Sequence, residues 1–268
     1  MENDRWDMGG QLMSLFNDLF KKSGLREVQP EDLSTFSLLL FGLAGTGKSS
    51  LAATASKCED LAPVLYIDFE NGTMPLGQWG DLDKTTIVHC DSWNDCVKLF
   101  ENVIKPSIDN GEFPFKTVVI DTLDQLQELV VNHFQTINPK DTFAAWAAAY
   151  EAPRSIIKAL SDAKGVSLIA ITHAEREANE VTGATLVSPS FEGKKSIRKL
   201  PSLFDFVGYM SWVDTQDEKG NDVLVPALFT QEKSTLTKQR ITGFPEAIGN
   251  PTMSKFYGFI KQALNKTN

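Results

Sequence analysis

Short apolar segments recur along the chain from residue 36, and segments with helical periodicity separate them. The apolar segments alternate little with polar residues, which is typical of strands buried on both faces of a sheet. Strands that alternate with helices favour parallel pairing, because each connection has room for a helix. We predict strands at 36–42, 63–69, 85–90, 116–121 and 166–172, and helices at about 48–58, 92–108, 123–136 and 142–164. The pattern therefore predicts an α/β domain in which helices cover both faces of a mostly parallel sheet.

The pattern changes after the fifth predicted strand. Residues 204–214 and 222–231 are predicted to be two strands joined by the turn-rich sequence TQDEKGN, which indicates an antiparallel β-hairpin that extends the sheet. Residues 234–242 are a further candidate strand, and a C-terminal helix is expected over about 254–264.

An amphipathic helix is predicted near the N-terminus, outside this pattern. Five apolar side chains within residues 11–22 fall on one helical stripe: Leu12, Leu15, Phe16, Leu19 and Phe20. Gly24 follows as a stop signal. We therefore predict two parts, residues 1–35 with the helix and a connector, and residues 36–268 with the α/β domain.

The composition restricts the environment and the partners of the protein. The 268 residues include 26 basic and 35 acidic side chains, a formal net charge of −9, which opposes nonspecific binding to polyanions. Any contact with nucleic acid would have to be local. The acidic N-terminus is unlike a signal peptide, and no apolar run approaches the ~20 residues of a membrane span. Three cysteines without metal-ligand spacing are expected to be reduced thiols, so we predict a soluble cytoplasmic protein without membrane contact.

The sequence GLAGTGKS fits the P-loop pattern and lies between a predicted strand and a predicted helix. Glycines in such a loop let successive backbone N–H groups point into one anion-binding hollow. The candidate nucleotide-binding residues are Gly42, Leu43, Ala44, Gly45, Thr46, Gly47, Lys48, Ser49 and Ser50. Lys48 is expected to reach the β- and γ-phosphates of ATP, and the Ser49 hydroxyl to ligate Mg²⁺. Asp121 ends an apolar strand and is expected to hold the Mg²⁺ shell, directly or through water.

Hydrolysis also needs a group that orients or deprotonates the attacking water. Thr122 follows Asp121 at the place where AAA+ ATPases have a glutamate, so the carboxylate has to come from elsewhere. Glu70, at the end of the VLYIDF strand, is the leading candidate if that strand neighbours the strand of Asp121. Asp68 is the secondary candidate and is expected to be structural. His173 ends the fifth predicted strand, where its imidazole could sense the γ-phosphate; a structural hydrogen-bonding role is the alternative.

Taken in order, these motifs resemble those of a family. The sequences GLAGTGKS, YIDFENG, VVIDTLDQL, THAERE, FEGKKSIRKLPSLFDFVGYM and LTKQRITG are similar to the short RecA-core ATPases encoded by phages, which include RecA-like single-strand annealing proteins. The resemblance covers about residues 36–264 and implies a RecA-like P-loop core in which Glu70 is the catalytic glutamate and His173 the sensor. It also implies that Lys238 and Arg240 reach a neighbour's γ-phosphate across a subunit interface, so that activity needs a homo-oligomer, either a ring or a filament. A solvated basic strand end is the alternative for these two residues.

A long loop is predicted between His173 and Phe204, because the sequence there has turn residues and little periodicity. Residues 190–200 carry four basic side chains against one acidic side chain. In RecA-like proteins the loop after the sensor strand lines the DNA path, so the resemblance makes this segment the candidate DNA-binding element. Its candidate residues are Phe191, Lys194, Lys195, Arg198 and Lys199, with Phe191 as a face for base stacking. Solvated basic side chains, with Phe191 anchoring the loop, are the alternative.

The sequence and the resemblance together predict a Mg²⁺-dependent, oligomeric RecA-like ATPase. It is expected to act on single-stranded DNA in phage recombination or replication, by annealing or strand exchange, in the host cytoplasm, with DNA stimulating its activity. A single-strand-binding protein is a candidate further partner. The N-terminal helix would dock on the next subunit or fold over its own sheet edge. Two alternatives stay open: a DnaB-type helicase motor, and a nucleotide-dependent assembly switch that binds no DNA.

Overall fold

The computed structural model describes residues 22–23, 34–178, 185–191, 193–217 and 219–265. The chain divides into two compact units, residues 1–33 and residues 34–268. Nearly all of the helix predicted at 11–22 lies outside the described residues. The architecture given below is therefore that of the second unit.

The described part of the second unit forms a nine-stranded sheet. Its strands are β1 (Ser37–Gly42), β2 (Val64–Asp68), β3 (Thr85–His89), β4 (Thr117–Asp121), β5 (Ser167–Ala178), β6 (Thr185–Pro189), β7 (Phe206–Gln216), β8 (Asp222–Phe229) and β9 (Ala247–Gly249). The order across the sheet is β3-β2-β4-β5-β1-β7-β8-β9, and β6 pairs with β5 off this path. Pairing is parallel from β3 to β7 in that order and antiparallel from β7 to β9. The predicted α/β class, a mostly parallel sheet with an antiparallel extension, is confirmed.

Helices cover both faces of this sheet. They are α1 (Lys48–Ala53), α2 (Met74–Trp79), α3 (Trp93–Leu99), α4 (Lys105–Asp109), α5 (Leu123–Ile137), α6 (Thr142–Ser161), α7 (Lys194–Lys199) and α8 (Met253–Asn265). A 3₁₀ turn, Thr54–Lys57, extends α1, and a π-helical segment, Phe100–Ile104, joins α3 to α4. The helices predicted between residues 48 and 264 are thus found at their expected places, while α2 and α7 were not predicted. Among the described residues, no helix is both long enough and apolar enough to cross a membrane.

The central strand β1 separates two layers of hydrophobic core. Leu39 and Phe41 pack on the side covered by α5 and α6. Leu38 and Leu40 pack on the other side, covered by α1 and α8. All four side chains are fully buried, and burial of each such side chain stabilises the fold by about 1.5–3 kcal/mol. Burial on both faces explains why β1 is a continuous apolar run.

The prediction of a long irregular loop after His173 is wrong. Strand β5 continues to Ala178 and pairs antiparallel with β6, with Glu175 opposite Ser188, and α7 follows. Residues 175–177 are charged and exposed, so this part of β5 lacks an apolar pattern. Its ladder of backbone hydrogen bonds to β6 maintains the strand, and a sequence pattern does not reveal that ladder.

The prediction of a further strand at 234–242 is also wrong. Within the described residues this stretch forms isolated bridges, Thr235 with Val187 and Lys238 with Val207, and no strand. The third antiparallel strand is β9, whose three residues are too few to show a periodic pattern.

Candidate nucleotide-binding site

The P-loop begins at Gly42, the last residue of β1, and leads into α1 at Lys48. Gly45 and Gly47 have φ angles of 76° and 89°, in the left-handed region that favours glycine. Gly42 is required for a different reason, since a Cβ at this position would lie 2.5 Å from the carbonyl oxygen of Met210 on β7. The loop therefore curls as an anion cradle requires.

Lys48 lies inside this cradle. Its Nζ donates hydrogen bonds to the carbonyl oxygens of Gly42, at 2.9 Å, and Leu43, at 3.0 Å. Burial lowers the pKa of the Lys48 ammonium, and the negative charges of Asp121, Asp124 and Glu70 oppose that decrease. The carboxylates therefore help to keep a buried positive charge where the phosphates of a nucleotide would lie.

Asp121 ends β4 and lies beside the P-loop, as predicted. It is 4% exposed and accepts hydrogen bonds from the hydroxyls of Tyr66 and Ser49. Burial raises the pKa of the Asp121 carboxyl, and these two hydrogen bonds oppose the increase. A carboxylate beside a serine hydroxyl is a set of oxygen donors that suits Mg²⁺, so Ser49 and Asp121 fit the predicted metal role. Sequence reasoning missed Tyr66, a buried phenol that fixes the orientation of Asp121.

The two carboxylates that follow β2 have different surroundings. Asp68 is 1% exposed and accepts hydrogen bonds from the backbone N–H of Glu70, at 3.1 Å, and from His89 Nδ1, at 3.1 Å. The Glu70 side chain is 34% exposed, and its Oε1 accepts a hydrogen bond from the Thr122 hydroxyl at 2.9 Å. Strands β2 and β4 are neighbours, with Asp68 opposite Asp121. Glu70 therefore faces the same sheet edge as Asp121, while Asp68 holds the turn that follows β2.

His173 lies opposite Gly42 in the register of β5 and β1, next to the P-loop. Its Nδ1 is 2.6 Å from Asp124 Oδ2 and 3.8 Å from Glu70 Oε1. Asp124 lies in the first turn of α5 and was not predicted as a site residue. Its position three residues after Asp121 was the available signal, because the first turn of a helix stays near the strand end that precedes it. One ligand atom from each of Glu70, Asp124 and His173 lies within 4.8 Å of the others.

The P-loop and the strand-end residues Glu70, Asp121 and His173 surround one cavity of about 330 Å³. Its lining consists of Ala44, Gly45, Gly47, Lys48, Ser49, Ser50, Glu70, Pro75, Asp121, Thr122 and His173. Cavities for small molecules range from about 300 to 1,000 Å³. The volume lies within this range, and the P-loop residues in the lining suit the polyphosphate of a nucleotide.

Comparison with known proteins agrees with this P-loop site. Residues 34–242 match the AAA domain family. The chain belongs to this family. No curated protein matches the chain. Among solved structures, the crystal structure of the RadB recombinase is similar over 80% of this chain and 86% of that chain, with 13% sequence identity and a TM-score of 0.45.

Family membership confirms the predicted P-loop NTPase core of this AAA domain. The phage origin implied by the resemblance stays a prediction. Within the AAA domain, Thr122 follows Asp121, and its hydroxyl contacts a carboxylate from the neighbouring strand. Glu70 thus lies beside Thr122, the position after Asp121 where AAA+ ATPases have a glutamate.

Lys238 and Arg240 of the AAA domain lie away from the nucleotide cavity of their own chain. The backbone of Lys238 pairs with Val207 near the start of β7, whereas Gly42 pairs with Met210 further along that strand. Lys238 Nζ donates to the carbonyl oxygens of Ser202, at 3.0 Å, and Phe204. Burial and the charge of Arg240 lower the pKa of Lys238. These contacts hold Lys238 against the segment before β7, and its action across a subunit interface stays a prediction.

Arg240 is more accessible than Lys238. Its side chain is 55% exposed and forms an ion pair with Asp205, with 2.8 Å between Nη1 and Oδ1. An exposed ion pair contributes only about 0–1 kcal/mol, so the guanidinium can change partner at little cost. Its action across a subunit interface stays a prediction.

The candidate DNA-binding residues of the AAA domain do not lie together on one exposed loop. Lys194, Lys195, Arg198 and Lys199 all lie on the short helix α7, and Lys199 is exposed. Phe191 is 3% exposed and packs in the same core layer as Leu200 and Phe204. The predicted stacking role of Phe191 is therefore wrong, because its ring is buried and anchors the segment before α7.

Proposed function

We propose that the AAA domain is a RecA-like, Mg²⁺-dependent ATPase that works as a homo-oligomer on single-stranded DNA. The observation that carries the ATPase part is the convergence of Lys48, Asp121, Glu70 and His173 on one cavity. The resemblance of the ordered motifs to phage RecA-core ATPases supports a role in recombination or replication.

Glu70 is the proposed base in this reaction. Water attacks the γ-phosphorus in line with the leaving oxygen, and Glu70 orients that water and accepts its proton. The Thr122 hydroxyl holds Glu70 Oε1, which leaves Oε2 for the water. Lys48 stabilises negative charge on the phosphates from inside the cradle. Ser49 and Asp121 would hold Mg²⁺, which supplies further neutralisation of phosphate charge when bound.

His173 is the proposed γ-phosphate sensor, and Asp124 sets its orientation. His173 Nδ1–H donates to Asp124 Oδ2 at 2.6 Å and so fixes the plane of the ring, and a hydrogen bond to a γ-phosphate oxygen would use a second ring proton, on Nε2. His173 is part of β5, which continues as the hairpin with β6. A shift of the imidazole on ATP hydrolysis would therefore act directly on the segment that leads to α7.

Arg240 is proposed to reach the γ-phosphate in the nucleotide site of a neighbouring subunit. Its exposure favours a partner outside its own cavity, and so does its ion pair with Asp205, which precedes β7, whereas the P-loop lies beside Met210 further along that strand. An arginine that reaches a neighbour's γ-phosphate contributes about 10³- to 10⁵-fold in turnover. Single-stranded DNA would contact the basic helix α7, where Lys194, Lys195, Arg198 and Lys199 are placed along six residues.

A nucleotide-dependent assembly switch without DNA is the second candidate. The net charge of −9 opposes polyanion binding, and the burial of Phe191 removes the candidate stacking face. In this function ATP would control oligomerisation alone.

Turnover and ATP affinity of Glu70→Gln test the assignment of the base. The variant should bind ATP like the wild type and hydrolyse it at least 10²-fold more slowly, the smaller contribution expected of a general base. Glu128→Gln, a change of the same chemistry at a residue outside the cavity lining, is the matched control and should behave as the wild type. Wild-type turnover in Glu70→Gln would exclude Glu70 as the base.

The DNA-binding role is tested by ATPase assays with and without single-stranded DNA, alongside sizing in ATP and in ADP. Stimulation that disappears when Lys194, Lys195, Arg198 and Lys199 are neutralised supports the recombination or replication role. ATP-dependent assembly without any effect of DNA, at low and high salt, supports the switch instead.

A further inference from the structure

Strand β7 lies against the P-loop and continues past it. Met210 pairs with Gly42 at the end of β1, and Met210 Cε lies 3.9 Å from the position that a Cβ of Gly47 would take. Strand β1 ends at Gly42, whereas β7 continues to Gln216. The residues of β7 after Met210 therefore run beside the phosphate cradle.

Trp212, two residues after Met210, is hydrogen-bonded to the P-loop through its indole N–H. Residues two apart on a strand point to the same face. The Trp212 Nε1–H donates a hydrogen bond to the carbonyl oxygen of Gly45 at 3.2 Å, and Gly45 lines the nucleotide cavity. This bond uses the edge of the ring, and Trp212 remains 44% exposed. A large aromatic ring is thus held open to solvent at the rim of the P-loop.

Trp212 has apolar neighbours on β8, and the next residue on its own face of β7 is the exposed Asp214. Pro226 lies opposite it on β8, and Leu224, the next residue on the same face of β8, is 57% exposed. Leu43, within the P-loop itself, is 41% exposed. An exposed indole and apolar side chains beside a phosphate cavity suit the nucleobase, which is the aromatic part of a nucleotide.

We propose that Trp212 is the nucleobase platform of this AAA domain, with its indole stacked on the purine of a nucleoside triphosphate whose phosphates occupy the P-loop. The inference rests on the proposed function, because the phosphates determine where the base can lie. Stacking responds to the size of the base, and a purine offers a larger face than a pyrimidine. Lys48 and the backbone N–H groups respond only to the phosphates. Trp212 is then a residue that determines nucleotide specificity.

Binding of ATP and of inorganic triphosphate, each measured by titration calorimetry with Mg²⁺, tests this role. Trp212→Ala should weaken ATP binding by about 5- to 150-fold, the range for loss of one base–aromatic stack. It should leave binding of inorganic triphosphate unchanged and bring the affinities for ATP and CTP close together. Trp212→Phe retains an aromatic face without the indole N–H and should keep most of the affinity for ATP. Trp146→Ala, which removes a 43% exposed tryptophan of α6, is the matched control and should bind both ligands like the wild type.

Three results would overturn the inference. Unchanged ATP affinity in Trp212→Ala would exclude stacking, and the proposed ATPase would stand if the wild type still hydrolysed ATP. Equal weakening of ATP and triphosphate binding in both Trp212 variants would mean that the indole only positions the Gly45 carbonyl. A wild-type protein that binds neither ligand would instead refute the proposed function, and the platform with it.

Discussion

Replacing Thr122 by valine removes one hydroxyl that makes two hydrogen bonds. The hydroxyl donates to Glu70 Oε1 at 2.9 Å and accepts from the Gln125 N–H at 3.4 Å, at the start of α5. Thr122 is 1% exposed, so water has little access to its position, whereas the Glu70 side chain is 34% exposed and can bond to water instead. The substitution should therefore have one effect on stability and a separate effect on turnover.

The two magnitudes follow from the geometry. Loss of a helix N-cap costs about 0.5–2 kcal/mol, and the long 3.4 Å bond to Gln125 places Thr122→Val near 0.5–1 kcal/mol. A hydrogen bond to a charged group contributes about 1.5–3 kcal/mol, and partial replacement by water at Glu70 leaves a loss of about 1–2 kcal/mol. This loss corresponds to a kcat that is about 5- to 30-fold lower. ATP affinity should not change, because the hydroxyl acts on the attacking water through Glu70.

Phosphate release gives kcat for Thr122→Val, and urea unfolding gives the free energy of unfolding. Thr122→Ser keeps the hydroxyl and should restore both quantities to near wild-type values. The reasoning is refuted if Thr122→Val turns over ATP at the wild-type rate while Glu70→Gln does not. If Thr122→Ser is as slow as Thr122→Val, the lost methyl group rather than the hydroxyl is responsible.

Three further predictions concern the interface, the core and the cysteines. Arg240→Ala and Lys48→Ala should each be inactive alone. A mixture should recover part of the ATPase activity, because the Lys48→Ala subunit supplies an intact Arg240 to the intact P-loop of the Arg240→Ala subunit. A mixture as inactive as its components contradicts action between subunits. Leu40→Ala should lower the free energy of unfolding by about 2–5 kcal/mol in urea, because Leu40 is fully buried, while Leu224→Ala at an exposed position should change it little. Burial raises the pKa of the Cys90 thiol to about 11 and that of Cys96 further, so Cys90 and Cys96 of the native protein at pH 8 should resist a thiol-specific reagent until the protein is unfolded. The stability that these neutral thiols provide is complete below their ordinary pKa and is lost as the pH rises toward 11. Rapid labelling of Cys90 or Cys96 in the native protein at pH 8 would contradict the predicted resistance.

The main site residues could be located from the sequence because each follows or ends a strand of one parallel sheet. Such strands present their carboxyl ends at the same edge. The register places Asp68 opposite Asp121 and Gly42 opposite His173, so the chain segments that carry Glu70 and Lys48 meet there. The identity of the motifs and the direction of the strands were sufficient for this part of the site.

Other contacts depend on packing that a pattern does not contain. Asp124 reaches His173 from the first turn of a helix, and this requires the angle at which α5 leaves β4. Phe191 was placed wrongly because an aromatic residue in a basic segment fits a stacking face and a core anchor equally well. The hairpin of β5 and β6 was missed because its charged side chains face solvent while its backbone groups pair.

Gly42, the first glycine of the P-loop, is needed for folding as well as for ligand binding. An added Cβ at Gly42 would meet the backbone of the neighbouring strand, and a backbone carbonyl cannot rotate away as a flexible side chain can. The requirement at this position therefore comes from the spacing of two strands, whereas the requirement at Gly45 comes from its backbone angle. A variant that had lost all nucleotide chemistry would still need glycine at position 42 to assemble its sheet. One motif thus combines a folding constraint with a ligand constraint, and damage to the first glycine should appear as loss of folded protein before it appears as loss of catalysis.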